Sequence, residues 1–266
     1  MDDVVKTLIE RIEKLEEEVR IARKGEDYRQ IMNAIAGHCL CYNAHEQQYE
    51  IDHYWTKAKE DAWYNGNSTP EGVETYYVNN TRRLRAKQAE IANRVYGKNF
   101  TESDKVGYRV MNMLTTPYIE IAGDGQTAQG VWFTFNIMSH LDENGVPSPT
   151  INTGKMCAEF CKEDGQWKLW RFRAAPGGFD LDIALKNTGL NPGEFENERA
   201  KMSFGTNYPT PEEEKLLHKR ALKLNYDFES SMMPYCPWLP LQSDPPMPEP
   251  YETYAEAQPL FVLAEE

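Results

Sequence analysis

The feature that most constrains this chain is a change of period. Up to about residue 93 apolar side chains recur every three or four positions, and from Tyr118 to Arg173 they alternate. The first spacing fits helices, and the second fits strands that bury one face. Tyr118-Ile119-Glu120-Ile121-Ala122 leads into Gly123-Asp124-Gly125, a tight-turn signal. Thr127 to Met138 then sets Val131, Phe133 and Phe135 on one face, with Trp132 and Thr134 on the other. A stretch rich in Asn, Gly and Pro, Glu143 to Thr153, is expected as a loop that breaks the strand. Lys155 to Lys162, a turn at Asp164-Gly165, and Gln166 to Arg173 read as a closing hairpin. Helices followed by an antiparallel meander predict an α+β fold.

Within the helical part, Val5, Leu8, Ile12, Leu15, Val19 and Ala22 are spaced 3, 4, 3, 4, 3, the a/d seam of a short coiled coil. Three heptads are marginal alone, so self-association as a dimer or trimer is expected, the plainer alternative being an amphipathic helix on its own domain. A second helix is predicted from about Asp27 to Asn43, with Ile31, Ile35, His38 and Tyr42 on one face that starts apolar and ends polar. A third follows at about Gln47 to Lys59. A fourth, Pro70 to Asn93, opens on a proline. Beyond Pro176 the composition shifts, and PYCPWLPLQSDPPMPEPYETY holds too many prolines for a strand ladder. Tyr235, Trp238, Leu239, Tyr251 and Tyr254 predict an arm that wraps its own or a neighbouring subunit. The expected organisation is a coiled-coil helix (1–26), an α+β domain (27–176) and a C-terminal extension with a Pro-rich arm (177–266).

Composition excludes some functions. A formal net charge of -13 argues against a phosphate-backbone partner, so no nucleic acid is expected. No apolar run approaches the roughly 20 residues of a membrane helix, and the charged start MDDVVKTLIERIEKLEEE does not read as a signal peptide. A cytoplasmic location without membrane association follows as the expectation. Cys39, Cys41, Cys157, Cys161 and Cys236 show neither metal nor disulfide spacing, in keeping with a reducing compartment. His53, His140 and His218 show no ligand spacing, and no phosphate loop or nucleophile elbow is present, so no metal and no cofactor are expected.

Three stretches resemble one family at residue level. IMNAIAGHCLCYNAHEQQYEIDHYW is similar to its first two helices, MLTTPYIEIAGDGQTAQGVWFT to its central hairpin and CAEFCKEDGQWKLWRFR to its closing hairpin. The family is the SnoaL-like, scytalone-dehydratase-like group of the nuclear transport factor 2 fold, and the resemblance covers roughly residues 27 to 175. It implies a cone-shaped, strongly curved antiparallel sheet packed on N-terminal helices around one pocket. The family includes dehydratases, cyclases, isomerases, dehydrohalogenases and pure binding proteins, so the fold leaves the reaction open. Its enzymes generally work without a cofactor, through a His and an Asp in an apolar cone. Here the chain departs from the pattern: the family's first-helix Asp falls on Asn43, and its His before the central strand falls on Asn112. Asn can be neither base nor charged acid.

Candidate groups are therefore weighed one by one. His45, beside Glu46 as a possible orienting acid, is a candidate base or else a turn histidine. Tyr42 is a candidate proton donor, and Asn43 would position a polar group. His38 continues the same helical stripe and lines the pocket or packs in the core. Tyr54, Trp55 and Trp63 could stack on an aromatic ligand or pack as core, with Asp61 among them. Asn112 and Trp132 lie in regions that face the cone in the family. Arg171 could bind a carboxylate or phenolate, or form a salt bridge with Glu159 on the opposing strand. The expected function is a cofactor-independent lyase, a dehydratase or related C–O or C–C bond-cleaving enzyme, acting by acid–base catalysis on a small hydrophobic, aromatic or polycyclic molecule. The alternative is a non-catalytic ligand-binding or scaffold protein of the same fold.

Overall fold

The computed structural model describes residues 2–64, 67–68, 70–180, 222–224 and 247–263. His218, Tyr235, Cys236, Trp238, Leu239 and the Pro-rich run through Pro246 lie outside the described residues. The order is α1 (Asp2–Ala44), α2 (Gln47–Tyr54), β1 (Trp63–Tyr64), β2 (Asn67–Ser68), α3 (Pro70–Tyr96), β3 (Tyr108–Ile121), β4 (Thr127–Leu141), β5 (Pro147–Glu163) and β6 (Gln166–Asp180). Two short strands, β7 (Leu222–Leu224) and β8 (Phe261–Leu263), pair with each other. The sheet runs β2-β1-β6-β5-β4-β3, with α1 against β3 and β6. This is an α+β architecture, a mixed sheet packed on helices, consistent with the nuclear transport factor 2 fold.

Four expectations need correction. No helix break separates residues 26 and 27: α1 runs unbroken from Asp2 to Ala44. Gly25 is a single weak position costing about 1 kcal/mol, too little to stop a helix whose neighbours all favour it. α2 stops at Tyr54 rather than near Lys59, because Trp55 bridges to Leu169 and the Thr56 N–H donates to the Leu169 carbonyl at 2.9 Å. The sheet is not wholly antiparallel, since β1 runs parallel to β6. The expected loop over 143–153 also shrinks to the turn 142–146, where Asp142 Oδ1 accepts the N–H groups of Asn144 and Val146, each at 2.8 Å. β5 tolerates Pro147 and Pro149 because pairing with β6 begins only at Asn152, so that stretch has one neighbour and need not donate to a second.

The sheet has two distinct faces. Trp132, Met156, Ala158, Phe160, Leu169 and Phe172 turn towards the helices and form the main core with Ile31, Ile35 and Ile51. The outer edge of the Trp132 indole reaches over Gly130, where a Cβ would come within 2.2 Å of it, so glycine is required there. Gln88 pins α3 to the end of β4: its Oε1 accepts the Leu141 N–H at 2.7 Å, and its Nε2 donates to the Leu141 carbonyl at 3.2 Å.

The opposite face carries residues 247–263. The N–H groups of Gly123 and Asp124 donate to the carbonyls of Tyr251 and Glu252, both at 2.9 Å. Phe261 packs on Trp63 with ring centroids 5.0 Å apart. Beneath this segment, Glu159 is fully buried and accepts from Arg171 Nη1 at 2.8 Å, the Tyr254 hydroxyl at 3.0 Å and Gln129 Nε2 at 3.0 Å. Arg171 also bonds Asp61 and lies over the Trp170 ring, 4.2 Å from its centroid. The Arg171–Glu159 pairing read from the strands is therefore present, but buried rather than on the surface. Removing one partner of a buried pair strands the other charge, at a cost of about 3–5 kcal/mol. Arg171→Ala should lower unfolding stability by about that amount in urea titrations. A near-unchanged midpoint would mean that the pair is not a structural support.

Candidate active site

Glu50 organises the helix face. It sits on the buried side of α2 with no exposed surface, so its carboxylate must be satisfied within the protein. Oε1 is 2.5 Å from His38 Nδ1 and accepts from Trp55 Nε1 at 2.9 Å. Oε2 accepts from the Tyr77 hydroxyl at 2.6 Å. Trp55 and Tyr77 both donate, so the carboxylate acts as the acceptor of the group; in the His38 tautomer that donates to it from Nδ1, the lone pair is on Nε2. A carboxylate that orients an imidazole tautomer and can stabilise the imidazolium is the arrangement used by acid–base dyads.

Aromatic rings surround His38. Phe172 of β6 is 4.4 Å away between centroids, and Tyr42, Tyr64 and Tyr77 lie at 6.2 to 6.3 Å. Tyr42 stacks on Tyr77 and is half-buried, in contrast to the buried His38, Tyr64, Tyr77 and Phe172. Tyr42 is also close enough to Tyr108 to raise its pKa, which links this cluster to His45, whose ring meets Tyr108 edge-on at 5.0 Å. Burial raises the Tyr77 hydroxyl well above its ordinary range, and the neighbouring Glu50 charge raises it further. Burial likewise raises Cys39 to about 12, again with a contribution from Glu50. Both stay protonated at neutral pH.

The expected site residues therefore separate. His38 and Trp55 converge on Glu50, and Tyr42 stacks beside His38. His45 lies apart, because the backbone places it: its φ of 58° makes it the left-handed residue that ends α1. The His45 N–H bonds the Tyr42 carbonyl, and the Glu46 N–H bonds the Cys41 carbonyl, a Schellman closure. Glu46 does not orient His45 as expected; its carboxylate is engaged by Lys105. His45 Nδ1 is buried and has no hydrogen-bond partner among the described residues. Asn43 clamps β3: its Oδ1 accepts the Asn112 N–H at 2.9 Å, and its Nδ2 donates to the Asn112 carbonyl at 3.4 Å. Tyr54 packs over Gly37, and Trp132 belongs to the core. Trp63 and Arg171 are on the other face of the sheet, since Phe172 points at His38 and strand alternation sends its neighbour the opposite way.

Glu50, Tyr77, Tyr64 and Tyr108 were not among the candidates. Glu50 carries the only local signal: it is flanked by Ile51 and, one turn earlier, by Gln47, and all three are buried on one side of a short helix. Among the described residues, no three His, Cys, Asp or Glu side chains are grouped so as to hold a metal ion. No helix among them is long and apolar enough to cross a membrane.

Burial lowers the His45 imidazole from 6.5 to about 4, with Arg85, Lys105 and Arg109 adding repulsion. The unfolded chain takes up this proton near pH 6.5, while the folded chain resists it until about pH 4. Stability should therefore fall as pH drops through that window and be unaffected by this group above it. In His45→Gln the acid-side loss should be shallower; identical pH curves for the two proteins would assign the loss to other groups.

A SnoaL-like domain family model matches residues 23–173. No curated protein matches significantly. Among solved structures, the chain is similar to a protein of unknown function from Mycobacterium tuberculosis, at 15% identity and a TM-score of 0.40 over 65% of this chain and 84% of that one. It is also similar to LinA, at 11% identity and a TM-score of 0.45 over 65% and 99%. A third is a protein provisionally named scytalone dehydratase from Novosphingobium aromaticivorans, at 10% identity and a TM-score of 0.39 over 57% and 86%. With more than half of its length matched by the domain, the chain belongs to the SnoaL-like family.

Proposed function

We propose that this protein is a cofactor-independent lyase, a dehydratase acting on a small hydrophobic, aromatic or polycyclic molecule, with His38 as its base. The family's members include dehydratases and isomerases, which supports the reaction class. The observation that carries the reading is the buried His38–Glu50 pair, held by Trp55 and Tyr77 and ringed by aromatic side chains. In this reading His38 Nε2 removes a proton from the carbon next to a carbonyl. The C–H electron pair becomes the new C=C bond, and the hydroxyl on the next carbon leaves as water with a proton from Tyr42. Glu50 stabilises the imidazolium that forms. His45, one step along the Tyr42–Tyr108 contact, is a positioning group in the same proposal. Residues 27–176 would be the catalytic domain, with register irregularities in β3, β5 and β6 bending the sheet into a cone. We place this activity in the cytoplasm.

A second reading is a non-catalytic binding protein. It is favoured by Asn43 and Asn112, where the family carries its Asp and His, and by the use of the Asn43 side chain as a backbone clamp.

Turnover of a panel of cyclic β-hydroxy ketones, followed by the absorbance of the conjugated product, separates the two. Removing a positioned acid or base costs about 100- to 10,000-fold in rate. His38→Asn and Tyr42→Phe should each lose turnover on that scale, with circular dichroism unchanged, while His53→Ala keeps it. Compounds that quench tryptophan fluorescence on binding but are never turned over by the unaltered protein would establish the binding role. Normal turnover in His38→Asn would remove His38 from the mechanism.

A further inference from the structure

The first half of α1 presents an apolar seam that its own domain leaves uncovered. Val5, Leu8, Ile12, Leu15 and Val19 are 47% to 55% exposed, whereas Ile31 and Ile35 further along the same helix are 0% and 1% exposed. The seam's later turns face the β3–β4 turn across a groove of about 700 Å³. Ile12, Leu15 and Val19 line one wall, with Ile121, Ala122 and Gly123 on the other. An unpaired leucine or isoleucine row of this length favours a partner that removes it from water.

The residues specify which partner. We propose that residues 4–23 pair with the same segment of a second copy of this chain as a parallel, in-register, two-stranded coiled coil. The a positions are Val5, Ile12 and Val19, and the first two d positions are Leu8 and Leu15. β-branched residues at a with leucine at d favour two parallel strands over three or four. In that arrangement each g residue meets the e residue five positions later on the partner. Arg11 then faces Glu16 of the second copy, Glu18 faces Arg23, and Val4 faces Ile9. Each charged couple has opposite signs, and the remaining couple extends the apolar seam. Both helices would enter the groove beside the partner's β3–β4 turn, where Lys162 and Asp27 form a salt bridge at 2.7 Å.

The test uses the full chain and light scattering at micromolar concentration. The unaltered protein should weigh twice the chain mass. Ile12→Glu with Leu15→Glu should weigh one chain mass, with the thermal transition of the folded domain retained. Arg11→Glu alone sets like charges against each other at that contact and should weaken the dimer, and adding Glu16→Arg should restore it. Leu8→Cys should cross-link under mild oxidation above the background of the unaltered chain, because only an in-register parallel pair brings the two positions together. A monomeric unaltered protein, or a dimer that survives the Ile12 and Leu15 changes, would overturn the proposal. A dimer that Leu8→Cys fails to cross-link, or that the paired charge swap fails to restore, would overturn the parallel register.

Discussion

The carboxylate of Glu50 is the constraint on which the helical layer depends. A fully buried carboxylate without partners would cost several kcal/mol, so it is tolerable only where donors surround it. Its donors come from three directions: His38 from α1, Trp55 from the end of α2 and Tyr77 from α3. No two of these elements can shift independently without leaving the charge uncompensated. Phe172 completes the arrangement from β6, which couples the helices to the sheet through the His38 ring. The group proposed for chemistry is thus also the group that holds the helices in place. Loss of activity and loss of stability must therefore be separated in any variant at these positions.

The sheet divides the molecule's polar investments between its faces. On the helix side stand the His38–Glu50 pair and the tyrosines around it. On the other side stand Arg171, Glu159, Asp61 and Gln129, closed over by Tyr254 and Leu260. Glu159 shows how such a site is balanced: burial raises its pKa, and Arg171, Gln129 and Tyr254 pull it back. A strongly hydrogen-bonded arginine in a SnoaL-like chain is therefore not by itself a ligand-binding arginine. Here its contacts are with Glu159, Asp61, Trp170 and Tyr254 of the protein itself.

Local chemistry made much of the scaffold readable. The alternation from Tyr118 to Arg173 located the end of β3, most of β4 and the β5–β6 hairpin, but not the start of β3 at Tyr108, and Gly125 and Gly165 sit in left-handed turns where the hairpin signals placed them. The stripe of Ile31, Ile35, His38 and Tyr42 identified the buried side of α1, because one helix face has only one neighbour to pack on. Less was readable at boundaries. The Asn-, Gly- and Pro-rich stretch before Thr153 looked like a loop because its prolines discourage pairing, yet an edge position tolerates them. His45 was legible as a helix-end residue, but its ring direction follows from a left-handed backbone and from Tyr108, which lies 63 positions away.

What the sequence determined by itself was set by neighbours along the chain: the two periods, the tight turns, the heptad seam and the family to which residues 23–173 belong. What only the tertiary structure decided was partnership. His38 and Glu50 are 12 positions apart and Tyr77 is 27 beyond Glu50, so no helical or strand spacing relates them. Their meeting depends on how three helices cross. The side taken by Arg171 depends on a register shift at Glu159/Phe160, where one extra residue decides which side chains face the helices. Periodicity is a property of a segment, whereas a site is made by segments that the chain brings together only once its core has packed.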